Sequence, residues 1–131
     1  MTQTTRPDVD IEEDIRDIIA HYPPLQADRH HLHIDVHDGT VVLSGHVKSL
    51  VTRRYLVDRV AQVSGVYSVD SDQLYTEETI RLDAGRRIPS GVIANAVYGA
   101  VVLTGQSPED ASIDDVVREL SLIPGVEQVL T

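Results

Sequence analysis

Histidine is the residue type in this chain best suited to chemistry, and its distribution is uneven. All six histidines lie within the first 46 of the 131 residues, and the chain has no cysteine. Imidazole nitrogens bind Zn²⁺, Ni²⁺ and Cu²⁺, and they also titrate near neutral pH. The sequence therefore offers a candidate divalent-metal site, or a pH-responsive surface, at His31, His33, His37 and His46. The alternative is a solvated polar face that holds no ligand.

A second candidate site is basic. Lys48, Arg53, Arg54 and Arg59 cluster around one predicted helix and offer contact to a phosphate or a lipid headgroup. Nearby acidic residues such as Asp58 can neutralise this cluster, so a solvated helix face is the alternative. The net charge of −10 at pH 7 disfavours general binding to nucleic acid and simple adhesion to an anionic membrane surface.

The sequence carries no constellation typical of hydrolytic enzymes. Without cysteine there is no thiol nucleophile and no thiolate metal site. A Gly-x-Ser-x-Gly nucleophile elbow is absent, as are the glycine-rich motifs that bind nucleotide phosphates. We therefore expect no enzymatic activity and no cofactor beyond the candidate metal.

The elements that position these residues follow from hydrophobic spacing. Isoleucines at helical spacing predict a first helix from Asp10 to Tyr22, which Pro23-Pro24 ends. A hairpin follows, with a two-residue turn at Asp38-Gly39. Ser49 is placed to cap a helix over 50–63, and a third strand runs from Val66 to Leu74. Residues 1–8 are polar, and we expect a disordered tail there.

The predicted hairpin gives the histidines a common face. The turn pairs His37 with Thr40, His33 with Ser44 and His31 with His46. Strand alternation then places the histidines opposite the apolar face, and neighbours two residues apart lie roughly 6–7 Å from each other.

The second half of the chain repeats the first. Gly39-Thr40-Val41-Val42-Leu43-Ser44-Gly45 matches Gly99-Ala100-Val101-Val102-Leu103-Thr104-Gly105 at an offset of 60 residues, and Gly65-Val66 matches Gly125-Val126 at the same offset. Equal offsets at both places indicate a duplication. We therefore expect a repeat over 9–74 and a second over 75–131. The opening of the second repeat is either a helix over 77–88 capped by Thr76 or a segment extended at 79–82.

The two repeats differ on the face opposite the core. Ile93, Val97 and Val102 occupy it in the second repeat, where the first has His33, His37 and Val42. An apolar face of this kind does not normally stay in water. We expect it to be an interaction face: either the two repeats pack together and hide it, or a partner protein or a second copy of the chain covers it.

The order helix, strand, Gly-x-Val-x-Leu-[Ser/Thr]-Gly strand, helix, Gly-Val strand resembles the BON domain, named for bacterial osmotic stress and nodulation. Residues 9–74 are similar to a complete copy, and residues 75–131 to a second, more divergent one. The resemblance implies an α+β fold of two tandem αββαβ repeats, each a three-stranded mixed sheet with helices packed on one face.

The resemblance also implies a non-catalytic binding module. BON domains occur in envelope proteins, some linked to phospholipid, and in regulatory proteins inside the cell. We expect a stress- or envelope-related role through protein–protein or surface contacts. A metal- or pH-responsive protein that uses the histidine face and a phospholipid-surface binder are the alternatives. The N-terminus has no apolar run typical of a secretory signal, so a cytoplasmic location is expected.

Overall fold

A computed structural model describes residues 6–106, 108 and 112–131 of the chain. The described residues form two α+β units, each with a three-stranded mixed sheet. This confirms the fold class that the sequence predicts. The predicted tail of residues 1–8 is described only from Arg6 onward, and the expectation is wrong at Asp8, which begins the first helix.

The first unit contains three α-helices, a short 3-10 helix and three strands. Its elements are α1 (Asp8–Ala20), α2 (Pro23–Asp28), a 3-10 helix (Arg29–His31), β1 (Leu32–His37), β2 (Thr40–Val47), α3 (Leu50–Ala61) and β3 (Ser68–Thr76). The Ser49 side chain accepts a hydrogen bond from Thr52 N, which confirms the predicted cap of α3.

The second unit repeats the hairpin, the helix and the final strand. Its elements are α4 (Glu77–Gly85), β4 (Val92–Val97), β5 (Ala100–Gly105), α5 (Ile113–Leu120) and β6 (Gln128–Leu130). The opening segment is a helix, because the Thr76 side chain caps it by accepting from Thr79 N at 3.1 Å. The alternative of an extended segment at 79–82 is wrong.

Both sheets have the same topology. β1 pairs antiparallel with β2, which pairs parallel with β3, and β4, β5 and β6 follow the same order. The predicted registers hold: His37 pairs with Thr40, and Val97 with Ala100. The strand–strand–helix–strand repeat is therefore confirmed as a repeat of topology.

Each unit has its own hydrophobic core between the inner face of its sheet and its helices. The first core includes Ile11, Ile15, Leu43 and Leu56, and the second includes Ile80, Leu103 and Leu120. We call the opposite side of each sheet its outer face. With so few aromatic residues in the chain, both cores are built mainly from aliphatic side chains.

Several local expectations are wrong. β3 runs Ser68–Thr76 and not from Val66 to Leu74. The first helix begins at Asp8 and ends at Ala20, two residues before its predicted position at each end. Pro23-Pro24 does not lead directly into the hairpin but opens α2, because proline is tolerated in the first turn of a helix. His31 therefore lies in the 3-10 helix and not on β1, and its predicted pairing with His46 does not form.

The core assignment predicts the effect of truncating one leucine in each unit. Leu43 is fully buried and Leu103 nearly so, so Leu43→Ala and Leu103→Ala should each lower the free energy of unfolding by about 2–5 kcal/mol. Chemical denaturation measures this. Leu122→Ala is the control, because Leu122 is 75% exposed and its loss should cost under about 0.5 kcal/mol. Equal effects at all three sites would show that the strand faces are wrongly assigned.

Candidate functional site

The two hairpin turns have the same backbone conformation but different side chains. Asp38 has φ of 48° and Tyr98 has φ of 44°, each followed by a glycine that also has positive φ. Aspartate is comparatively common in this left-handed region, whereas a bulky tyrosine is an outlier there. The strain at Tyr98 indicates that contacts of its side chain hold it in place.

Those contacts join the two units. The Tyr98 ring stacks on the His31 ring with centroids 3.6 Å apart and an angle of 9° between planes. The Tyr98 hydroxyl donates to Asp28 Oδ1 at 2.7 Å. Asp28 is buried, and its other oxygen accepts from Lys48 N at 3.1 Å. A carboxyl group removed from water in this way depends on such donors.

The same surroundings perturb the hydroxyl of Tyr98. Burial, the hydrogen bond to Asp28 and the negative charges of Asp28 and Glu77 all raise the pKa of Tyr98 above its ordinary value. Burial and the negative charges disfavour the phenolate, and the hydrogen bond favours the neutral hydroxyl that donates it. We call this contact of Tyr98 with His31 and Asp28 the junction. It favours the neutral hydroxyl, which is the form that can donate to Asp28.

His46 makes a second contact between the units. Strand alternation along β2 places His46 on the same outer face as Val42 and Ser44, yet the residue is only 5% exposed. Its Nε2 lies 2.6 Å from Gly125 O, and since a carbonyl only accepts, the imidazole donates. A Cβ at residue 99 would lie 2.8 Å from that nitrogen, and one at residue 125 would lie 2.5 Å from Tyr75 Cγ. Glycine at both positions permits the close approach.

The structure does not gather the predicted metal ligands into one cluster. His31, His33 and His46 line one open cleft of about 300 Å³ at the junction, but His31 is stacked on Tyr98 and His46 is bonded to Gly125. His37 lies away from that cleft. Across the described ranges, one group of three has ligand atoms within 4.8 Å of each other, namely Asp8, His37 and Asp38. Asp8 already accepts from the backbone nitrogens of Asp38 and Gly39.

The predicted basic cluster is divided between structural and exposed side chains. The Arg53 guanidinium donates to Leu74 O at 2.8 Å and to Ser71 O at 2.9 Å, so it fastens α3 to β3. Arg59 lies over the Tyr55 ring, 5.2 Å from its centroid. Lys48 and Arg54 are exposed. The four side chains therefore differ in their contacts, and the phosphate or lipid contact stays a prediction.

The predicted interaction face is open to solvent in the second unit. Ile93 is 59% exposed and Val97 is 52% exposed, while Val102 is half-buried. Leu130 pairs with Val102 across the sheet and is 47% exposed. The first unit therefore does not cover this face, and the expectation that the repeats pack together over it is wrong. The units meet instead through Tyr98 and His46.

Sequence reasoning missed three of these residues. Leu130 lies on a three-residue strand too short for periodicity to assign. Asp28 lies in α2, which was not predicted. Tyr98 did carry a signal, because asparagine, aspartate or glycine normally takes the first position of such a turn.

A comparison with protein families decides the relationship. The BON domain profile matches residues 7–76, which is more than half of the chain. The chain belongs to the BON domain family. The matched range covers the whole first unit of this BON protein.

Other comparisons add little to the family match. No curated protein matches the chain. Two solved structures of CdsD, described as a structural protein of the type III secretion system of Chlamydia trachomatis, are similar to the chain. The first has 17% sequence identity and a TM-score of 0.39, and the match covers 92% of this chain and 90% of the CdsD chain. The second, of the C-terminal domain, has 16% identity and a TM-score of 0.39, and the match covers 96% of this chain and 97% of the CdsD chain. None of the described helices is long and apolar enough to cross a bilayer.

The junction predicts a loss of stability in Tyr98→Phe. This variant keeps the ring stacked on His31 but removes the donor to the buried Asp28 carboxyl group. A hydrogen bond to a charged group contributes about 1.5–3 kcal/mol, and thermal or chemical unfolding should show a loss of that size. Tyr67→Phe is the matched control, because the Tyr67 side chain is 89% exposed. An unchanged Tyr98→Phe would contradict the role given to the hydroxyl.

The raised pKa of Tyr98 predicts how this loss varies with pH. A group whose pKa is higher in the folded state contributes stability fully below its unfolded pKa of about 10 and loses it as pH rises further. The difference between the wild type and Tyr98→Phe should therefore stay constant from neutral pH to about pH 9 and shrink above about pH 10. Urea unfolding at a series of pH values measures it. A difference that grows with pH would reverse the assignment.

Proposed function

We propose that this BON protein is a non-catalytic binding module that acts through protein–protein contact at the outer face of its second sheet. Its family supports a binding or structural role, and we extend this to a stress- or envelope-related setting. We also propose that the second unit is a diverged BON copy that has taken over the binding role.

The observation that carries the proposal is an internal comparison. His33, Asp35 and His37 of the first unit occupy the same positions in the fold as Ile93, Asn95 and Val97 of the second. Because both units keep the same topology and register, the fold itself does not require apolar residues at these positions. The difference is therefore best explained by what the second face contacts.

The composition of the face supports a protein as its partner. The outward-facing positions of β4, β5 and β6 carry no charged residue, in a chain of net charge −10: Ile93, Asn95, Val97, Ala100, Val102, Thr104, Gln128 and Leu130. An exposed branched side chain forgoes roughly 1.5–3 kcal/mol of available burial. Exposed apolar side chains gathered on one face are typical of an interface, whereas a face without charged residues offers no opposite charge to an ionic ligand.

The test compares two equivalent substitutions, Val97→Asp and His37→Asp. Each variant and the wild type are immobilised and exposed to an extract of the cells that make the protein, and the retained proteins are quantified by mass spectrometry. Val97→Asp places an unpaired charge in the contact and should lower the amount of bound partner protein roughly tenfold or more. Further copies of the chain itself count as a possible partner in this measurement.

His37→Asp is the matched control, because it introduces the same charge at the equivalent position of the other sheet. It should retain the same proteins as the wild type. Thermal melts of both variants check that each stays folded. Equal retention by the wild type and Val97→Asp would refute the proposal.

A further inference from the structure

We propose that a second copy of the chain binds at the β4 edge of this face, and that the two copies join their β4 strands antiparallel about a twofold axis through Asn95. The inference rests on the proposed function, because β4 carries Ile93 and Val97 of the same surface, and strand pairing would bring both against the second copy. The two copies would form one six-stranded sheet from their two second units.

The first step is the position of β4 in its sheet. The strand order β4-β5-β6 places β4 at an edge, so one side of its backbone has no strand partner among the described residues. An edge strand is a template for pairing with another strand, and charged side chains commonly protect such edges. β4 runs Val92–Val97 and contains no charged residue.

The second step is the direction of the backbone groups. Val97 and Ala100 flank a two-residue turn, and such a flanking pair is hydrogen bonded. Because bonded and non-bonded pairs alternate along an antiparallel ladder, Asn95 and Ile93 also direct their backbone groups toward β5. Ala94 and Ala96 direct theirs toward the open edge, where Ala94 can pair with Ala96 of a second copy.

The third step is the symmetry of the side chains. About Asn95, the sequence Val92-Ile93-Ala94-Asn95-Ala96-Val97 reads nearly the same in both directions. A twofold pair centred on Asn95 places Ile93 against Val97 of the second copy and Asn95 against its own equivalent. These are non-bonded pairs, in which side chains approach most closely. Both copies would present the same patch, as an isologous contact requires.

The equivalent strand of the first unit is unsuited to the same pairing. Asp35 of β1 stands where Asn95 stands in β4, so two β1 strands paired in this way would place one carboxylate directly opposite another. Like charges directly opposite each other destabilise a strand pair. Self-association is therefore specific to the second unit, which makes the first unit an internal control.

The test uses the absence of cysteine from the natural chain. Asn95→Cys introduces a single thiol at the axis, where paired residues have Cα atoms about 4.5 Å apart, within the range that a disulfide spans. Under mild oxidation, this variant should form a covalent dimer at least roughly tenfold faster than His33→Cys, because paired thiols have a high effective concentration. His33→Cys is the control, because it places an exposed thiol on β1 and leaves the Asp35 carboxylate in place. Non-reducing electrophoresis over time measures both rates.

The two outcomes are distinct. Faster cross-linking of Asn95→Cys than of His33→Cys, at equal thermal stability, supports the twofold contact. Equal rates would overturn it. If Val97→Asp still loses retained proteins while Asn95→Cys cross-links no faster than its control, the binding face stands and the second copy is excluded as its occupant. Asn95→Asp gives a second readout, since like charges at the axis should shift sedimentation toward the monomer.

Discussion

The register of the two hairpins is the constraint on which the rest of the molecule depends. Each hairpin has a two-residue turn in which both residues have positive φ, and this turn fixes the register of the two strands that flank it. A shift of one residue would bring Leu43 and Leu103 out of their cores and turn the outer-face residues inward. Every assignment of a side chain to core, junction or outer face follows from this pairing.

The same turn serves different purposes in the two units. In the first, Asp38 adopts the positive φ of the turn with little strain, and its backbone N–H donates to the Asp8 carboxylate. In the second, Tyr98 has an unfavourable positive φ, and its hydroxyl donates to the buried Asp28 of the other unit. Glu77 accepts from Tyr98 N as Asp8 does from Asp38 N. The two units thus share the support of the turn, while the tip of the second turn makes the contact between the units.

The sequence was sufficient for features determined by neighbours in the chain. The turn at Asp38-Gly39, the caps at Ser49 and Thr76 and the alternation in β4 are local, and the structure confirms them. Contacts between the units are not encoded in periodicity. The sequence places His31 and His46 together on the face opposite the core as candidate metal ligands, whereas one stacks on Tyr98 and the other is bonded to Gly125. The apolar face at Ile93 and Val97 was found, but the sequence did not say that the first unit leaves it open.

Amide hydrogen exchange measured at several protein concentrations tests the central claim, self-association through β4, most directly. The amides of Ala94 and Ala96 belong to the edge that would pair, and those of Ile34 and Val36 are their equivalents in β1. The account predicts that exchange at Ala94 and Ala96 slows as concentration rises while exchange at Ile34 and Val36 does not change. Exchange at Ala94 and Ala96 that is independent of concentration, over a range in which the chain is otherwise folded, would contradict it.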